Sequence, residues 1–273
     1  MVGAALCWSL GGVFIKFIPW GSMSIVGLRA LFATVVFAVY RRSVKTELTR
    51  GNILSAICLA STIILYVYAN KLTTAAAAIF LQFTSPTFVI LIQLIFYGRK
   101  PKKIDIAAVS VTAMGMLLFF AGRLEGGGLT GNLFAIASGL SFAGVFVCNR
   151  RKDVNPENAL MLGFIITAAI GLPFAFFDVT ADLVAWSAVA LLGTIQVGLA
   201  YVFFSIGIRK TPALLACLIT AIEPVLSPVW VALATGEIPG GFALAGGVVI
   251  ISTVVVYNLW KERHPETVQV AKN

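Results

Sequence analysis

Along nearly its whole length the chain alternates long apolar stretches with short, mostly basic connections. A helix rises about 1.5 Å per residue, so about 20 consecutive apolar residues cross the roughly 30 Å hydrocarbon core of a bilayer. Stretches of this kind run from Gly3 to Ile18, Ser22 to Tyr40, Asn52 to Ala69, Thr74 to Phe96, Ile104 to Ala121, Leu129 to Cys148, Asn158 to Phe176, Leu183 to Ile208, Ala213 to Thr235 and Gly241 to Trp260. Their succession predicts an all-α integral membrane protein of ten transmembrane helices. The loops between them leave no room for a separate catalytic or receptor domain. The first stretch lacks the basic start and small-residue cleavage site of a signal peptide and holds Trp8, Ser9 and Lys16 in its interior, so it reads as a spanning helix.

Of the 273 residues, 59% are hydrophobic and only 11% charged, where soluble domains carry roughly a quarter charged residues. So few charges do not cover a globular surface. The net charge of +9 would suit nucleic acid only on a soluble basic face interleaved with aromatics; here the basic residues sit between apolar spans, so nucleic acid is not expected as a partner. Cys7, Cys58, Cys148 and Cys217 are isolated within apolar segments. Their spacing suggests neither a metal site nor a disulfide framework. The one histidine, His264, falls in the polar tail, and neither metal nor cofactor is expected.

Basic residues mark the cytoplasmic ends of membrane helices. Connections after even-numbered helices and the C-terminal tail hold Arg41, Arg42, Lys45 and Arg50; Arg99, Lys100, Lys102 and Lys103; Arg150, Arg151 and Lys152; Arg209 and Lys210; and Lys261, Arg263 and Lys272. Connections after odd-numbered helices hold only Lys71 and Arg123. This asymmetry predicts an even number of spans with both termini cytoplasmic.

An internal repeat follows the same division. Ser9-Leu10-Gly11-Gly12-Val13-Phe14 matches Ser141-Phe142-Ala143-Gly144-Val145-Phe146 at an offset of 132. Thr73, Ala75, Ala78, Pro86, Gly98 and Pro101 recur as Thr211, Ala213, Ala216, Pro224, Gly236 and Pro239 at an offset of 138. Five helices invert the copy that follows them, so the expected organisation is a five-helix unit over 1–122, an inverted five-helix unit over 129–260 and a cytoplasmic tail over 261–273.

Pro86 and Pro224 sit mid-span in equivalent helices, where proline kinks a helix by freeing a backbone carbonyl. They are candidate hinges around a central cavity, with a packing kink as the alternative. Ionisable groups within a span cost about 2.5–3.5 kcal/mol on insertion scales and tend to face water or one another. Lys16, Arg29 and Glu223 are the three clear cases, and for the first two snorkelling to the interface is an alternative. Glu223 has three readings: it binds a substrate ammonium, carries a proton, or pairs structurally with Lys16 or Arg29. Trp8, Ser9, Tyr66, Gln82, Thr84, Gln196 and Tyr201 complete the candidate substrate-binding or cavity set. For each polar group among them, a helix-to-helix hydrogen bond is the competing role.

Trp8-Ser9 followed by Lys16, then Arg29 early in the second helix, the Ala-rich start of the fourth helix leading to Pro86, and Glu223-Pro224 in the ninth together resemble the drug/metabolite transporter superfamily of EamA type. The resemblance covers nearly the whole chain and is greatest to exporters of aromatic amino acids, the YddG type. It implies a carrier in the bacterial inner membrane, monomeric, moving a small amphipathic metabolite by alternating access through a cavity lined by helices one to four and six to nine. The fifth and tenth helices would be scaffold. Two departures stand out: Ser9 replaces the usual glycine after the tryptophan, and the fourth-helix counterpart of Glu223 is Ser85.

Three other classes of reading compete. A carrier of the same family with a non-amino-acid substrate fits the same motifs. An intramembrane enzyme would need a nucleophile and base, a metal site or an acidic diad, and Glu223 is the only mid-span carboxylate. A passive channel would need a filter sequence or rings of charge. No catalytic residue is expected.

Overall fold

The computed structural model describes residues 1–11, 15, 18–121, 128–226 and 240–264. Among them the backbone is helical between short turns. The elements in chain order are α1 (Val2–Trp8), α2 (Ser22–Arg41), α3 (Arg50–Leu72), α4 (Ala75–Tyr97), α5 (Lys103–Phe119), α6 (Leu129–Cys148), α7 (Pro156–Asp178), α8 (Leu183–Ile208), α9 (Ala213–Leu226) and α10 (Gly241–Arg263). Seven of these, α2, α3, α4, α6, α7, α8 and α10, are long and apolar enough to cross a membrane.

Local chemistry sets the ends. The Thr49 hydroxyl accepts from the Asn52 N–H at 3.1 Å and starts α3, and Asn155 accepts from the N–H groups of Glu157 and Asn158 to start α7. The apolar stretch predicted as one helix from Gly3 to Ile18 is not continuous: α1 stops at Trp8, and Ser9 and Leu10 form a turn. The Ser9 hydroxyl folds back on the Leu6 carbonyl at 2.7 Å, the kind of local bond that competes with helix continuation.

The two helices that carry Pro86 and Pro224, α4 and α9, are broken at corresponding places, whereas α7 runs on through Pro173. α4 is interrupted at Phe83 and Thr84, between Ala75–Gln82 and Ser85–Tyr97, three residues before Pro86. α9 turns at Ala221 after Ala213–Thr220, again three residues before Pro224. A proline cannot donate to the carbonyl four residues back, so the preceding turn is where the ladder fails. The two helices meet beside the breaks, where the Ser85 hydroxyl and the Cys217 thiol lie 3.4 Å apart. A different irregularity occurs in α8, whose middle, Leu192–Leu199, is wound as a π-helix.

The bundle is built from crossings of α2 with α7, α3 with α6 and α7, α5 with α10, α8 with α1 and α2, and α4 with α6 and α9. Small residues set how close these crossings come. A methyl at Gly27 would stand 2.4 Å from the Gly171 carbonyl carbon, and one at Gly246 would stand 2.4 Å from the Phe119 nitrogen, so α2 meets α7 and α5 meets α10 backbone to backbone. Large apolar side chains on the outside, among them Val39, Phe96, Phe176 and Val248, are exposed as lipid-facing residues are.

The basic connections converge at one end of the bundle. There Arg41 reaches Asn158, Arg150 donates to the carbonyls of Ile208 and Arg209, and Arg209 pairs with Glu157 at 2.8 Å. At the opposite end the Asp178 carboxylate accepts from the Gly21 N–H at 2.6 Å and from the Ser24 hydroxyl, Trp20 stacks edge-on against Trp186, and Lys71 donates to the Ile18 carbonyl at 2.6 Å.

Candidate functional site

Between the two ends lies a cavity of about 40 Å³ lined by Trp8, Arg29, Thr62, Ile63, Tyr66, Gln82, Phe142, Gln196, Val197, Tyr201 and Glu223. The side chains come from α1, α2, α3, α4, α6, α8 and α9. Seven of the ten candidates named from the sequence meet here: Trp8, Arg29, Tyr66, Gln82, Gln196, Tyr201 and Glu223.

Arg29 is 3% exposed, so it does not snorkel to the membrane surface. Its Nη2 donates to Gln196 Oε1 at 2.7 Å, while its Nε and Nη1 are buried without a partner. Unpaired polar atoms of this kind are rare in folded proteins, and a buried charge without a counter-ion costs several kcal/mol. Among the described residues the ion pairs are Arg151–Asp153, Arg209–Glu157 and Lys261–Asp105, so neither Arg29 nor Glu223 takes part in one. The structural pairing of Glu223 with Arg29 is therefore absent. Lys16 lies outside the described residues.

Gln196 is held for this contact by two irregularities. It sits in the π-wound part of α8, which shifts its side chain out of ordinary α register. It also fills the space a side chain on Gly11 would need: a methyl there would stand 2.4 Å from Gln196 Cγ. Gln82, the last residue before the break in α4, is oriented by a chain of bonds in which its Nε2 donates to Ser138 Oγ at 2.8 Å and Ser138 donates to the Thr62 carbonyl at 3.1 Å.

Part of the lining is aromatic. Trp8 packs edge-on against Phe142 and Tyr201, with ring centroids 5.7 and 5.1 Å apart, and Phe142 continues to Phe146 at 4.7 Å. Phe164 and Phe204 brace Tyr201 from behind at 5.5 and 5.6 Å. Such edge-to-face contacts fix the ring planes.

Ser9 and Thr84 are not among the lining residues. The Ser9 hydroxyl donates to the Leu6 carbonyl and the Thr84 hydroxyl to the Leu81 carbonyl, both at 2.7 Å. α7 contributes no lining residue either, contrary to the expectation from the sequence, because its Gly171 face is spent on the crossing with α2. α5 and α10 also stay clear of the cavity. Thr62, Ile63, Phe142 and Val197 were not anticipated. The repeat did not mark them: it aligns Phe142 with Leu10 and Trp8 with Leu140, two residues away and so on another face of the helix.

A wider depression of about 630 Å³ opens at the basic end among residues that include Glu47, Asn149, Arg150, Lys152 and Arg209. Two of its arginines are matched, Arg151 by Asp153 and Arg209 by Glu157. Arg151 donates twice to Asp153 and holds that carboxyl below its ordinary range, so the pair persists at neutral pH and is lost only on strong acidification. The smaller cavity is the better candidate site because it alone combines enclosure, an aromatic wall and an unmatched buried cation.

Comparison with known proteins agrees with this architecture. A profile of the EamA-like transporter family matches residues 1–121 and again residues 129–259. A protein of Archaeoglobus fulgidus described as an uncharacterized transporter is 27% identical over 204 residues, which span 74% of this chain and 73% of that protein. A crystal structure 20% identical in sequence superposes with a TM-score of 0.79, covering 95% of this chain and 96% of that one. At that identity the likeness concerns the fold alone.

Proposed function

The chain belongs to the EamA-like transporter family, a multi-pass membrane protein, and we propose that it is a monomeric carrier that exports small metabolites, aromatic amino acids foremost, across the bacterial inner membrane. The observation that carries this reading is the cavity: it lies between helices of the two segments matched by the family profile, walled by aromatic rings and containing a carboxylate and a guanidinium two of whose nitrogens have no partner.

In this reading α1 to α5 and α6 to α10 are two inverted halves of ten spans, with both termini and the basic end in the cytoplasm. Exchanging each helix with the one five places away supports it, because the principal crossings map onto one another. The pairs α2–α7, α4–α9 and α5–α10 are self-paired, α3–α6 becomes α8–α1, and α3–α7 becomes α8–α2.

Small-molecule sites typically enclose about 300–1,000 Å³. A cavity of about 40 Å³ is therefore contracted, and side-chain bonds tie the halves together at both ends. Loading a substrate requires one end to part, and the breaks before Pro86 and Pro224 are where α4 and α9 bend to allow it. Alternating access follows if Asp178 and its neighbours release on one side while Arg41, Arg150 and Arg209 hold the other, and then the reverse.

The test is counterflow of radiolabelled phenylalanine, tryptophan, threonine and cysteine into liposomes containing the purified protein. Saturable uptake of the aromatic pair supports the reading. Uptake of none of the four withdraws the amino-acid assignment, and non-saturable flux insensitive to competitors withdraws the carrier mechanism.

A further inference from the structure

Arg29 is the most exacting feature of the cavity. It is anchored on one side by Gln196, it is 3% exposed, and its Nε and Nη1, which carry three of the five guanidinium N–H donors, point at no acceptor among the described residues. A planar cation oriented this way is complementary to a carboxylate, which it can bind with two parallel hydrogen bonds. Glu223 lines the same cavity from α9, and its charge suits an ammonium. The rings of Trp8, Tyr66, Phe142 and Tyr201 line the same cavity.

We propose that Arg29 is the anchor for a substrate carboxylate and Glu223 the acceptor for its ammonium, so that the site selects α-amino zwitterions over amines or carboxylates of the same side chain. This rests on the carrier reading above and assigns within it the side chains that recognise each charged group. Gln196 is a positioning residue: its amide oxygen engages one corner of the guanidinium and leaves the others for the ligand. The side chain of the amino acid meets the ring wall, so the charged groups set the class and the rings set the preference within it.

The physical basis of the selection is that a ligand lacking one group leaves a buried partner unpaired. Sites built to bond a polar group reject analogues that lack it far more strongly than apolar pockets reject a missing methylene. Phenethylamine lacks the carboxylate and would leave Arg29 unmatched, whereas 3-phenylpropionate lacks the ammonium and would leave Glu223 unmatched. A neutral amide of phenylalanine tests the charge on the carboxylate with little change in size.

The experiment is inhibition of [3H]phenylalanine counterflow in liposomes by unlabelled phenylalanine, phenethylamine, 3-phenylpropionate and phenylalaninamide, on the wild-type protein first. Each of the three analogues is expected to inhibit at least about tenfold more weakly than phenylalanine. Equal inhibition by phenethylamine or phenylalaninamide overturns the role of Arg29, and equal inhibition by 3-phenylpropionate overturns that of Glu223, while the carrier reading stands. Absence of phenylalanine counterflow in the wild type overturns the zwitterion class together with the amino-acid assignment, a distinct result. Arg29→Lys and Arg29→Gln then serve as variants, with folding checked by monodisperse elution and an unshifted melting temperature. Retention of the wild-type KM for phenylalanine by a folded Arg29→Gln protein also overturns the proposal, and Gln196→Ala is expected to raise KM with less effect than either.

Discussion

Substituting Gly27 by alanine tests the crossing that brings Arg29 to the cavity. A methyl at Gly27 stands 2.4 Å from the Gly171 carbonyl carbon and from the Leu172 nitrogen, whereas ordinary contact begins at 3.4 Å, so α2 and α7 must part by about 1 Å (3.4 minus 2.4). Overpacking of this kind costs about 1–3 kcal/mol, and the upper end applies because the obstructing atoms are backbone and have no rotamer by which to swing away. Alanine recovers about 1 kcal/mol of helix propensity over glycine. The net expectation is a loss of about 2 kcal/mol, read as a melting temperature several degrees lower in detergent, with reduced counterflow because Arg29 is two residues along the same helix. Gly241→Ala is the control, since a methyl there meets nothing within 4 Å. A Gly27→Ala protein that melts at or above the wild-type temperature would refute the backbone contact and the small-residue account of the α2–α7 interface.

Further expectations follow from other contacts. Ser85→Cys, in a chain whose other native cysteines except Cys217 are replaced by serine or alanine, is expected to form a disulfide across the 3.4 Å contact between α4 and α9; oxidation should stop counterflow and reductant should restore it, and full flux in the cross-linked protein would show that these helices do not move beside their prolines. Asp178→Ala removes a carboxylate that receives the Gly21 N–H and the Ser24 hydroxyl at the start of α2, and about 1 kcal/mol of stability should go with it, as for other lost helix caps. An unchanged melting curve would count against that cap.

Much of the architecture was written in local patterns. Helices long enough to cross a bilayer show as apolar runs, and the basic connections gather at one end because alternate turns of a bundle must. The breaks in α4 and α9 were legible from Pro86 and Pro224 as places where proline deprives a carbonyl, although the same chemistry at Pro173 leaves α7 continuous. The site was only partly legible. Arg29, Gln82, Gln196 and Glu223 stand out because polarity within a span is costly, but Ile63 and Val197 look like any core residue, and nothing local distinguishes their orientation. Thr84 and Ser9 misled for a related reason: a hydroxyl satisfied by its own helix looks the same in sequence as one facing a cavity. The π-turn that presents Gln196 depends on how α8 packs against α1 and α2, a tertiary property, and so does the exclusion of α7 from the cavity wall.

The two glycines at the α2–α7 crossing are followed by unlike residues. Two residues beyond Gly27 stands Arg29, and two residues beyond Gly171 stands Pro173. Likewise Glu223 precedes Pro224, where Ser85 precedes Pro86 and is turned toward Cys217. A scaffold with near-twofold packing thus carries its charges on one side of each pair. A perfectly balanced pair of halves would offer a guest two equivalent poses, head to tail and tail to head. On the carrier reading proposed above, this uneven pair offers a single pose, so a molecule taken up at one face of the membrane would be handed to the other without having to turn over.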